Sequence, residues 1–134
     1  MNFKISELIY SETANRLKIN NMPDINSLDC MLDLICDCLQ PLRDKLKKPM
    51  IITSGYRCAQ LNKAVGGATD KYGKPTSQHC KGQAADFHVN GMTVKDTIDF
   101  IIKSGVPFDQ LIDERTWVHI SYRKGNNRRQ VLKV

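Results

Sequence analysis

The stretch DINSLDCMLDLICDCLQPLRDKLKKPMIITSG, Asp24 to Gly55, decides the fold class. Leu28, Met31, Leu32, Ile35, Cys38, Leu39, Leu42 and Leu46 recur at spacings of three and four, the period at which side chains share one face of a helix. That predicts a helix from about Asp24 to Lys48. Asp24, or Asn26 to Ser27, can accept from the first free N–H groups. Lys45, Lys47 and Lys48 oppose the negative end of the helix before Pro49 stops it. Pro41 lies inside the stretch without an N–H to donate, so a kink or a split is expected there. Met50-Ile51-Ile52-Thr53 then changes the pattern to a short apolar, β-branched run that ends at Ser54-Gly55, the signature of a strand entering a turn.

Working outward, a short helix is expected from Cys58 to Val65, closed by Gly66-Gly67. Ala68 to Gln78 has no apolar period and reads as a long surface loop. Ala84 to Val89 is a second strand, ended by Asn90-Gly91. Thr93 to Lys103 is a second amphipathic helix, capped by Thr93 with Val94, Ile98, Ile101 and Ile102 inward, and Ser104-Gly105 ends it. Two further strands are expected near Asp109–Ile112 and Trp117–Tyr122, separated by a tight turn at Glu114-Arg115. The basic tail after Arg123 reads as a solvated end. Helices first and a mostly antiparallel sheet later predict a small α+β domain spanning 1–134, with N-terminal helices packed on the sheet.

A chain of 134 residues fits one domain, expected to be a monomer, and leaves no room for two. Hydrophobic residues at 41% and charged residues at 25% can build a core, which excludes a disordered tail. Twenty Lys and Arg against fourteen Asp and Glu leave a net charge of +6, which suits an anionic partner. Nucleic acid is not the expected one, because aromatic residues are only 7% and no RNP, zinc-finger or helix-turn-helix signature occurs. Five cysteines are an odd number, and Cys30, Cys36 and Cys38 fall within one helical stretch, so a disulfide framework is not expected. They read as small packing residues. Ser6, Glu7, Ser11 and Glu12 interrupt the N-terminal segment, which predicts neither a signal peptide nor membrane insertion. With reduced thiols, this points to synthesis in the cytoplasm.

Three histidines occur: His79, His88 and His119. His79 and Asp86 are seven apart with Gly82 between them, so a chain that turns back at the glycine brings imidazole and carboxylate to one point. His119, from the last strand expected, would complete two imidazoles and one carboxylate, a set that leaves the fourth tetrahedral position of a zinc ion open to water. Such an ion lowers the pKa of its water from ~15.7 to about 7. Spacing alone leaves open a set that uses His88, which lies two residues past Asp86 on the same strand face.

The run Ser77-Gln78-His79-Cys80-Lys81-Gly82-Gln83-Ala84-Ala85-Asp86 has the form S-x-H-x-x-G-x-A-x-D, preceded by Ser54-Gly55-Tyr56-Arg57 and followed by Trp117-Val118-His119. This ordered set, over roughly Pro23 to Leu132, resembles the zinc D-Ala-D-Ala carboxypeptidases and related phage endolysins that cut peptidoglycan stem peptides. The resemblance implies Zn2+ held by His79, Asp86 and His119, and Arg57 beside it stabilising the oxyanion of the scissile carbonyl. It also implies a substrate groove lined by Ser77 and Gln78, although Ser77 is equally natural as a turn residue. In the best-known pattern an acidic residue stands three positions before the last histidine; here that position is Thr116. Phe108-Asp109-Gln110-Leu111-Ile112 resembles a branch whose acid follows that strand after one residue, which points to Glu114 as general base, with Asp113 next. Trp117 reads as core filler.

The resemblance therefore implies a zinc peptidase of peptidoglycan stem peptides that uses activated water and needs no covalent intermediate, so Cys80 has no nucleophilic role. A phage lysis context would carry a cytoplasmic product to the wall. The rival from another class is a non-catalytic, zinc-stabilised domain of the same fold that binds wall fragments or a protein partner.

Overall fold

A computed structural model describes residues 1–134. The helix expected over Asp24–Lys48 is continuous but not uniform. It comprises α3 (Ile25–Leu34), a π-helical turn (Ile35–Leu39) and α4 (Gln40–Leu46). Asp24 is the N-cap, its Oδ1 accepting from Ser27 N at 2.7 Å. Lys47 ends the helix in the left-handed conformation at φ 57°.

Pro41 neither breaks nor splits the helix, because the wider π turn lies just before it and absorbs the lost hydrogen bond. The turn also sets which residues face inward. Ser27, Met31, Ile35 and Leu39 are all buried at strict spacings of four, as are Leu34, Cys38, Leu42 and Leu46. In a pure α-helix each such step drifts by ~40° around the axis. The π turn rotates the face back. Leu34 therefore joins the core, whereas Leu32, expected inward, is 44% exposed. Cys38 is buried and Cys36 exposed, so of these two thiols only Cys38 packs in the core. All five cysteines are free.

Two short helices precede this element, α1 (Ile5–Ile9) and α2 (Glu12–Leu17). Leu8 of α1 is buried in the main core, and its carbonyl accepts from Tyr56 N at 2.6 Å. Next come β1 (Met50–Ser54), α5 (Ala59–Ala64), a 3-10 turn (Gln78–Lys81), β2 (Ala84–Val89), α6 (Val94–Ser104), β3 (Gln110–Asp113), β4 (Val118–Ser121) and β5 (Gln130–Lys133). Thr93 caps α6, its Oγ1 accepting from Asp96 N. Thr97, Ile98 and Ile101 are the buried residues of this helix; Ile102, also expected inward, is 41% exposed.

The five strands lie in the order β1-β2-β4-β3-β5. Every pairing is antiparallel except β3 with β5, which is parallel. The domain is thus α+β with a mostly antiparallel sheet. Ala85, Phe87 and Val89 of β2 face the core together with Leu111, Val118 and Ile120, and the long helix packs over them. Asp86 and His88, alternating with those residues, take the opposite face.

The tail is not simply a solvated end. Arg128 forms a 2.7 Å ion pair with the wholly buried Asp109, and the Arg129 guanidinium sits 4.6 Å from the Phe108 ring centroid. Beyond them β5 adds itself to the sheet, although all four of its residues are exposed. No helix is long and apolar enough to cross a membrane.

Candidate metal centre

Gly82 closes the turn that carries His79. Its φ is +72°, and a Cβ there would stand 2.2 Å from the Ser27 carbonyl oxygen, so only glycine lets the chain reverse against the long helix. Four residues later Asp86 enters the sheet, paired across to His119 of β4. On the other side of Asp86, β1 is irregular between Ile52 and Ser54, and the Thr53 hydroxyl donates to the Asp86 carbonyl at 3.3 Å.

The structure brings His79, Asp86 and His119 into one cluster, with one ligand atom from each lying within 4.8 Å of the others. His119 Nδ1 is 2.9 Å, and His79 Nε2 3.4 Å, from Asp86 Oδ1. Two donors at 2.0–2.2 Å from one tetrahedral zinc are themselves about 3.3 Å apart; the His79–Asp86 spacing fits that ion, whereas the His119–Asp86 pair is in hydrogen-bond contact and would have to open slightly to share it. His79 is buried, and its Nδ1 lies 2.7 Å from the Gly55 carbonyl oxygen. That contact places the proton on Nδ1 and leaves Nε2 free as a ligand. Gly55 approaches so closely that a Cβ would meet the Leu8 carbonyl oxygen at 2.4 Å. Burial pushes the Asp86 carboxyl up, but its contacts with the His119 and His79 rings outweigh it and hold the group well below the ordinary carboxylate range. His88 stays outside the cluster, beside Ile51 in the β1–β2 ladder.

A cleft of about 320 Å³ opens over the cluster, lined among others by Arg57, Ser77, Glu114 and Trp117. It adjoins a second hollow of about 510 Å³ that shares Arg57, Val65 and Asp86 with it. Glu114 is half-buried on the turn between β3 and β4. Asp113 turns elsewhere: its Oδ1 accepts from Arg115 N at 2.8 Å, and it lines a hollow near Lys95 and Lys133 on another side of the sheet. Trp117, expected in the core, is 38% exposed and walls the cleft.

Arg57 is held at both ends. Its Nη2 donates to Ser77 Oγ at 3.2 Å and its Nε to Asn62 Oδ1 at 3.3 Å, while its backbone N–H donates to the His79 carbonyl. Ser77 Oγ also accepts from His79 N at 3.2 Å, so one hydroxyl ties the arginine to the turn carrying the histidine. Gln78 does not line the cleft. Its amide donates to Asp109 Oδ2 at 2.9 Å and to Gln83 Oε1, on the far side of the turn.

Two buried asparagines escaped the reading of the sequence. Asn62, fully buried in α5, holds Arg57 and donates to the Ala68 carbonyl; Asn21 donates to the Ile9 and Tyr56 carbonyls and accepts from Cys58 N. The only signal in the chain was an amide beside Leu61 in a short amphipathic helix. Burial pushes the Cys80 thiol up, which is opposite to what a nucleophile requires.

No curated protein matches the chain significantly. The match to a family model takes in the N-terminal helices, His79, Asp86, Glu114 and His119, and ends before β5. That model is peptidase M15, matched over residues 1–121, and the chain belongs to this family.

Proposed function

We propose that the protein is a zinc-dependent peptidase that hydrolyses peptidoglycan stem peptides, as a D-Ala-D-Ala carboxypeptidase or a D-specific endopeptidase. Peptidase M15 members are zinc-dependent, which supports the metal. The observation that carries the reading is the joint presence of two imidazoles, one carboxylate, Glu114 and Arg57 around a single cleft. His79, Asp86 and His119 would hold the ion. Zinc bound there supplies an acidified water and positive charge at the scissile carbonyl.

The remaining work falls to side chains of this chain. Glu114 takes the proton of the attacking water and returns it to the leaving amine. Arg57, fixed by Asn62 and Ser77, presents its guanidinium to the oxyanion at no cost in reorientation. Trp117 walls the cleft and limits access of bulk water. Glu114 in this position favours catalysis over the rival of a wall-binding module, which Thr116 in the usual acid position had kept open. Action on the cell wall after release from the cytoplasm, by a monomer, belongs to the same proposal.

Metal analysis of the purified protein, with turnover of a D-Ala-D-Ala peptide and of cross-linked stem peptides, tests this reading. One zinc per chain and chelator-sensitive cleavage are expected. Zinc without cleavage of any of these peptides would leave only the binding module.

A further inference from the structure

The turn that carries His79 is anchored from behind by residues that touch neither the cleft nor the proposed ion. Gln78, the neighbour of His79, sends its side chain away from the site. Its Nε2 donates to Asp109 Oδ2 at 2.9 Å, while its own Oε1 is buried without a partner. Asp109 is wholly buried just ahead of β3. Arg128 meets it three times: N at 2.9 Å and Nε at 3.0 Å to Oδ1, and Nη2 at 2.7 Å to Oδ2. The Asp109 carbonyl also accepts from Gln130 N as β5 begins. Arg128 and β5 both lie past residue 121, where the family match stops.

A buried carboxylate needs its charge partner. Asp109 without the Arg128 side chain would keep the backbone N–H of residue 128 and the Gln78 amide but no opposite charge, which favours its turning toward solvent or admitting water. Gln78 has a reason to follow it, because its oxygen is already unpartnered and Asp109 is the stronger of its two contacts. The turn would then retain the bonds that His79 itself makes, to Gly55, Ser77 and Arg57, and lose the anchor supplied by its neighbour Gln78.

We infer that Arg128, Asp109 and Gln78 form a positioning relay through which the C-terminal segment, outside the family match, orients His79 for metal binding. The inference rests on the metal reading proposed above. Arg128 acts through Asp109 and Gln78, so its effect is on the geometry of a ligand and not on substrate.

The test uses the full chain and compares R128M, R128K and Q78A with wild type. Zinc dissociation constants are measured by chelator competition, at a temperature where circular dichroism shows each protein folded. Partners behind a metal ligand typically change affinity by 10–100-fold. R128M and Q78A are expected to weaken zinc by about tenfold, with R128K between them and wild type because it keeps the charge but not the two-pronged contact. Q78A leaves the Arg128–Asp109 pair intact, so it carries the test if R128M fails to fold. A Q78A protein with wild-type zinc affinity overturns the relay, as does a folded R128M protein that differs from wild type only in melting temperature. Wild-type protein that binds no zinc overturns the metal reading itself, and the relay with it.

Discussion

Asp86 and His119 are register partners on neighbouring antiparallel strands, with His119 Nδ1 2.9 Å from Asp86 Oδ1. The sheet thus sets this half of the candidate metal centre, while His79 arrives from a separate turn 3.4 Å from the same oxygen. If an ion joins the three, it ties that turn to the sheet and stabilises the fold by mass action. Free zinc at 100 times its dissociation constant should add about 2.7 kcal/mol. Thermal melts with and without zinc measure the increment, and H119A should abolish it.

Glu114 lines the cleft and Asp113 is engaged in the turn. E114Q is expected to lower kcat by roughly 10²–10⁴ while zinc content stays at wild-type level. D113N should stay within a few-fold of wild type. Full turnover by E114Q in steady-state assays would falsify the assignment of the base.

The π turn makes Leu34 a core residue and leaves Leu32 at the surface. L34A should therefore cost about 2–5 kcal/mol in urea unfolding, through the cavity it creates. L32A should change stability by roughly 0.5 kcal/mol or less. An uninterrupted α-helix with the face read from the sequence, which omits Leu34, would make L32A the costly substitution instead.

Asp109 has its carboxyl held at about 2, below the ordinary 3.8, chiefly by the Arg128 side chain against the opposing cost of burial. A group depressed in the folded state contributes stability above its unfolded value and loses it as pH falls toward the folded one. The groups facing it are Arg128 and the neutral Gln78 amide. Wild type should exceed R128M in stability at neutral pH, and the gap should narrow as pH drops from about 4 to about 2. Urea titrations across that range measure the narrowing; a constant gap would sink the linkage.

The sequence by itself determined most of the elements, because apolar spacing and caps act over a few residues. The long helix with its Asp24 cap, the boundaries of β2 and the glycine reversal at Gly82 were all legible in this way. Its chemistry-bearing residues were legible too, since the S-x-H-x-x-G-x-A-x-D string keeps histidine and aspartate on either side of that reversal. Tertiary structure alone decided the rest. Which leucines face inward depended on a π turn that no local period encodes. The strand β5 has four exposed residues, so it carries no alternation to read, and it exists through long-range parallel pairing with β3. Gln78 left the cleft for the same kind of reason: its partner Asp109 is 31 residues away, and only the assembled sheet and the returning tail bring Asp109 and Arg128 behind it.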